Sequence, residues 1–156
     1  MSLQSKNKIK KIAESIYQKN LNHIETQLGD STTYSDQLDE FCKDKFGDKF
    51  MGVFASDQIP HNINKGQMMI VNLDTSKQSG SHWVSVVKDY KDVLWVYDSF
   101  GRNIHKILPK IFGKKRKVKS TEKDPEQLET ESNCGARCVS FLEVFNDYGI
   151  QYAKYI

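Results

Sequence analysis

The order of apolar patterns along these 156 residues predicts an α+β fold with a central sheet packed by helices. Two observations lead there. Helical spacing runs through the first 46 residues and returns behind Cys134, and three short strand-like runs lie between. The chain, 38% hydrophobic, is also long enough for one real core and too short to expect two.

Residues 6–28 carry Ile9, Ile12, Ile16, Tyr17, Leu21 and Ile24 at helical spacing, a basic amphipathic helix that Gly29 can end. Residues 34–46 repeat the pattern with Tyr34, Leu38, Phe41, Cys42 and Phe46, and Gly47 is a stop. The stretch FMGVFASDQIP, residues 50–60, reads as loop or turn because Gly52 and Pro60 punctuate it. Three strands are expected next: MMIVNL (68–73), HWVSVVK (82–88) and VLWVYD (93–98), the last two joined by the polar DYKD. An apolar patch, ILPKIF (107–112), then leads into the basic KKRKVKS and an acidic, proline-containing loop that reaches Cys134. There are no internal repeats.

The net charge of +3 is mild, so only its distribution is informative. The N-terminal MSLQSKNKIKKIAESIYQKN is charged and has no apolar signal region, so we expect no secretion. No segment approaches the roughly eighteen apolar residues of a membrane span. Three cysteines, an odd count, fit a reducing compartment better than a disulfide framework.

Two of those cysteines stand four apart in ESNCGARC, residues 131–138. Behind Cys134, the residues Cys138, Phe141, Leu142 and Phe145 form one helical stripe, and Gly149 sits where the helix would stop. Asn133 is a good N-cap type, which makes Cys134 the first helical residue. A thiol there feels the positive end of the helix dipole and unsatisfied N–H groups, and both favour the thiolate. Gly135 leaves space beside the sulfur. A zinc site needs about four ligands, and this pair lacks a second Cys/His pair at matching spacing. Cys138 reads as a small core residue. Cys134, on its own, is either an inert thiol or a nucleophile.

A nucleophilic cysteine requires a base, an orienter for that base and donors for an oxyanion. Of four histidines, His23 lies on the first helix, His61 follows Pro60 and His105 stands among basic residues. Only His82 opens an apolar strand, and Asp98 ends the next one. Antiparallel pairing through DYKD would bring the two side chains together. Alone, a strand histidine is more often a surface residue, and the combination is what gives His82 weight.

HW at 82–83, DSFG at 98–101, Gln127 and NCGARC at 133–138 resemble the adenain (adenovirus maturation protease) and Ulp-type cysteine proteases, which share the order His, Asp or Glu, Gln, Cys. FMGVFASDQIP is similar to the family's F-x-G-x-F loop, and the resemblance covers roughly residues 33–148. It implies a mixed central sheet, distantly papain-like, with the catalytic cysteine at the N-terminus of a buried central helix. On this resemblance Cys134 is the nucleophile, His82 the general base and acid, Asp98 its orienter and Gln127 an oxyanion-hole donor. Trp83 looks like the tryptophan that helps form a narrow tunnel over a Gly-Gly segment in Ulp-type enzymes, with Phe54 in the loop beside it. The implied division is a basic helical extension, residues 1–30, before a protease domain, residues 31–156.

What the resemblance implies is a monomeric thiol endopeptidase that cuts after Gly-containing sites in viral capsid or core precursors, within the infected cell and the virion. It implies no required cofactor and no membrane partner. Activation through a peptide disulfide is not supported, since residues 99–133 hold no cysteine. Some members respond to DNA. Here Lys114, Lys115, Arg116 and Lys117, with Lys106 and Lys110 nearby, are either a solvated charged edge, the reading their composition favours, or a phosphate contact for DNA. Two further readings stay open: a Ulp-type enzyme that removes a ubiquitin-like modifier, and a non-enzymatic basic binding protein on a protease-like fold.

Overall fold

The computed structural model describes residues 1–29, 34–74, 76–77, 82–109, 117–122, 125, 127 and 132–156. Helix α1, Leu3–Leu28, starts where the Ser2 hydroxyl accepts the Ser5 N–H (3.1 Å) and ends at Gly29 with φ 85°. Its buried residues, Ala13, Tyr17, Leu21 and Ile24, recur at helical spacing. Ile12, expected on that stripe, is 40% exposed. Helix α2, Ser35–Phe46, buries Leu38, Cys42 and Phe46 and ends at Gly47, where a short 3-10 turn, Gly47–Lys49, begins.

Phe50–Ala55, expected as loop, is strand β1. It pairs in parallel with β2, Met68–Asn72, which is buried along its whole length. The glycine signal was real but marked an irregularity inside a strand: the pairing shifts between Phe50 and Val53, around Gly52 at φ 144°. Strands β3, Trp83–Lys88, and β4, Leu94–Tyr97, follow, and β3 runs antiparallel to both of its neighbours, β2 and β4. Asp89 closes the β3–β4 turn. Its carboxylate accepts the N–H groups of Lys91 and Val93 and the Trp95 indole N–H, all at 2.9 Å, and Asp92 takes the left-handed conformation.

A short helix α3, Ile104–Ile107, precedes β5, Val118–Ser120, which adds in parallel to β4 at the sheet edge. The basic KKRKVKS, for which no strand was expected, therefore ends in one. Helix α4, Cys134–Tyr148, ends at Gly149, and one further turn, α5, Ile150–Ala153, follows. Among the described residues the mixed sheet has five strands, in the order β1-β2-β3-β4-β5.

Each face of the sheet carries its own apolar cluster. Alternation along β3 sends Val87 to one face with Phe50, Met68, Ile70 and Tyr97, under α1, α2 and α4. Val84 and Val86 go to the other, with Met69, Val71, Leu94 and Val96, covered by Ile104 and Leu108. Residues 1–30 and 31–156 share the first cluster, since Tyr17, Leu21 and Ile24 of α1 pack there with Phe141 and Leu142 of α4. Among the described residues no helix is long and apolar enough to cross a membrane.

A side chain at Gly52 would meet the Phe54 ring at 3.1 Å on a backbone that L-residues rarely adopt. Gly52→Ala is expected to destabilise the fold by about 1–3 kcal/mol, measured as a lower midpoint in chemical denaturation. An unchanged midpoint would mean that β1 relaxes without cost.

Candidate active site

The site grows from the antiparallel register of β3 and β4. Ser85 pairs with Tyr97 and Val86 with Val96, so residues one step beyond each strand end, His82 and Asp98, continue one face of the sheet. His82 Nε2 lies 2.7 Å from Asp98 Oδ1, and both residues are 5% exposed. The histidines at 23, 61 and 105 are exposed. The backbone C=O of His82 accepts the Leu73 N–H (2.9 Å), which anchors the residue to the end of β2.

Asp98 is held on every side. Besides His82, it accepts the Phe100 N–H (3.1 Å), the Arg102 N–H (3.3 Å) and Arg102 Nε (2.8 Å). Burial opposes its negative charge, but the hydrogen bonds from His82 and Arg102 outweigh that and hold its carboxyl down at about 2. Phe100 stacks on the His82 imidazole with centroids 4.5 Å apart, and the Arg102 guanidinium lies over the Phe100 ring at 5.2 Å. The imidazole is thus fixed in plane by Asp98 and across its face by Phe100.

Cys134, half-buried as the first residue of α4, is the other hydrogen-bond partner of the His82 side chain. Because Nε2 serves Asp98, Nδ1 is the nitrogen left for the sulfur. Burial penalises the Cys134 thiolate, but the His82 hydrogen bond, the backbone N–H of Trp83, the imidazole charge and the Gly135 N–H together pull the thiol below its ordinary value. Burial likewise opposes the His82 imidazolium, and the bonds to Asp98 and Cys134 raise it above its ordinary value. Each shift favours the charged form that the other group stabilises, a thiolate beside an imidazolium. Cys138 and Cys42 are buried and their thiols are pushed up, mainly by burial.

Gln127 is buried and tied to the residue after Asp98. Its N–H donates to the Ser99 C=O (3.1 Å), and its Oε1 accepts the Ser99 hydroxyl (2.5 Å). With Oε1 accepting that hydroxyl, Nε2 is the donating end of the amide. Ser99 went unnoticed in the sequence because a serine between aspartate and phenylalanine carries no spacing signal. The same holds for Phe100 and Arg102, whose roles depend on a turn that brings them back over Asp98.

The remaining expected residues lie apart. Trp83 is half-buried against the cluster under the helices, whereas Phe54 packs against the cluster on the other face. Lys114, Lys115 and Arg116 fall outside the described residues, as does Lys110. Lys117 is exposed and lines a recess with His61, Lys88, Lys91 and Asp92. Asn133 occupies the N-cap position of α4, but its side chain does not cap the helix. Among the described residues, no group of three or more His, Cys, Asp or Glu side chains converges as a metal site would.

Limiting iodoacetamide near neutral pH is expected to label Cys134 well before Cys42 and Cys138, as read by peptide mapping. Acid should slow that reaction as the thiolate is protonated at its depressed value. In His82→Ala the midpoint of the labelling profile should move up, because the imidazole's bond and charge go while burial stays. Equal labelling of all three cysteines, or an unmoved profile, would remove the coupling between His82 and Cys134. No protein-family model matches the chain and no curated protein matches it significantly, so its chemistry rests on this geometry.

Proposed function

We propose that the chain is a cysteine endopeptidase of the adenain and Ulp kind. The observation that carries the reading is the hydrogen-bonded series Cys134, His82, Asp98, with the thiol shifted down and the imidazole shifted up. A merely structural thiol at a helix start has no need of a buried, oriented base.

In this reading the Cys134 thiolate attacks a peptide carbonyl carbon. The C–S bond forms as the carbonyl electrons move to oxygen, and the N–H of Cys134 and the Gln127 amide stabilise that oxyanion. His82, as imidazolium, protonates the leaving amine while the C–N bond breaks. Asp98 keeps the ring oriented and steadies its positive charge. Neutral His82 then takes a proton from water, whose oxygen attacks the thioester carbon; the C–S bond breaks, the carboxylic acid product leaves, and the Cys134 thiolate is restored beside the His82 imidazolium. The Ser99 hydroxyl on Gln127 Oε1 supports the assignment of Gln127 as a donor.

The substrate class is proposed from the resemblance at Trp83, whose backbone N–H contacts the sulfur and which directly follows His82 in the chain. A tryptophan closing over the residues before the cut, as in the Ulp-type enzymes, would favour glycine there, and viral capsid or core precursors with Gly-containing sites are the proposed substrates, cut by a monomer in the infected cell and the virion. A peptide library randomised before the scissile bond tests it. Cleavage should follow Gly-Gly, Gly→Ala at either position should lower kcat/KM at least tenfold, about 1.4 kcal/mol, and Cys134→Ala should abolish turnover. Gln127→Ala should lower kcat by about a hundredfold or more. Cleavage confined to a folded ubiquitin-like modifier would move the reading to deconjugation, and no Cys134-dependent cleavage of any substrate would leave a binding protein.

Stimulation by DNA is proposed through the basic run that begins at Lys114. Added DNA should raise peptidase activity, less so as salt increases, and the effect should vanish when Lys114, Lys115, Arg116 and Lys117 are replaced by Gln. Activity indifferent to DNA would leave the run a solvated edge.

A further inference from the structure

Helix α1 contributes more than apolar surface. Tyr17, 3% exposed, has its hydroxyl 2.6 Å from the hydroxyl of Tyr97, the residue before Asp98. Arg137 Nη1 donates to that same Tyr17 oxygen (3.2 Å), and Arg137 Nε donates to Asn133 Oδ1 (3.1 Å). Asn133, the residue before Cys134, donates through Nδ2 to Glu25 Oε1 on α1 (3.0 Å). The Ser140 hydroxyl donates to the Tyr17 C=O (2.6 Å), a second tie between α1 and α4.

Two features make this series costly as plain scaffolding. A buried guanidinium in the first turn of a helix lies at the positive end of the dipole and has lost its water. Asn133 also forgoes the capping bond that its type and position would provide. Both make sense together. Asn133 is turned toward Glu25 and Arg137, so it does not compete for the first N–H groups of α4, and the Gly135 N–H serves the Cys134 sulfur.

We propose that α1 positions the reacting pair: the series Glu25, Asn133, Arg137, Tyr17, Tyr97 fixes the start of α4, and with it Cys134, against the end of β4, and with it Asp98 and His82. Tyr17 and Arg137 are positioning residues that act through the backbone of their neighbours. This inference rests on the reading of Cys134 as a nucleophile. Geometry of this kind matters because a misplacement of about 1 Å can cost on the order of a hundredfold in rate.

The test is Tyr17→Phe, which keeps the ring and removes the hydroxyl, with Glu25→Ala as a second variant at a half-buried position that leaves the core intact. Three measurements are made on the full chain: the denaturation midpoint, the pH profile of Cys134 alkylation, and kcat and KM on a Gly-Gly peptide. We expect an alkylation midpoint raised by roughly half a unit in Tyr17→Phe, kcat lower by about tenfold with KM within about twofold, and a smaller shift in the same direction in Glu25→Ala. Arg137→Lys should retain part of the activity that Arg137→Gln loses. An unmoved alkylation profile and kcat in both folded variants would overturn the inference and leave the peptidase reading standing. A shifted alkylation profile in a chain that cuts no peptide would uphold the positioning role and sink the peptidase reading. Should Tyr17→Phe fail to fold, Glu25→Ala decides alone by the same two readouts.

Discussion

Ser85 pairs with Tyr97 across β3 and β4, and a slip of one residue in that pairing would send His82 and Asp98 to opposite faces of the sheet. Every later feature of the site depends on this register. Asp89 secures it from the turn end through its three accepted hydrogen bonds, and the buried valines of β3 and β4 secure it along the strands. With the register set, Phe100 and Arg102 fold back over the pair, and Ser99 is delivered to Gln127. A short hairpin thus determines the placement of His82, Asp98 and the Gln127 amide.

The electrostatics follow the same economy. Each of Asp98, His82 and Cys134 loses hydration on folding, and each would resist ionisation if it stood alone. In series, every group supplies the partner that the next one needs. Asp98 also draws on Arg102, so its negative charge remains although the residue is buried. The linkage has a definite sign. The folded carboxyl lies at about 2, below its ordinary 3.8, so its contribution to stability is complete above 3.8 and fades as acid approaches 2.

Local patterns made much of this legible. Helical spacing found α1, α2 and α4, and apolar runs found β2, β3 and β4, because both periods report burial directly. His82 and Asp98 could be paired from strand order alone. The glycine at 52 was misread because a bulge and a turn share the same composition, and parallel pairing with β2 is a long-range fact that a single segment does not display. β5 was hidden in a basic run, since three residues at a sheet edge need little hydrophobicity. Asn133 looked like a cap because residue type carries no information about which competitor takes its side chain. Tyr17 was visible as one more apolar position, while its hydroxyl chemistry depends on Arg137, 120 residues away.

The hydrogen bonds that join α1 to α4 also bear on the order in which the molecule is built. His82 and Asp98 close a loop of 16 residues, whereas Tyr17 and Arg137 close one of 120. That is roughly three doublings of loop length, about 2 kcal/mol more of closure entropy. The hairpin can form on its own within microseconds. The start of α4 must wait for distant contacts to accumulate. The smaller closure cost therefore favours an order in which His82 and Asp98 meet before the Cys134 thiol reaches them, leaving the cysteine without its imidazole partner in the early stages.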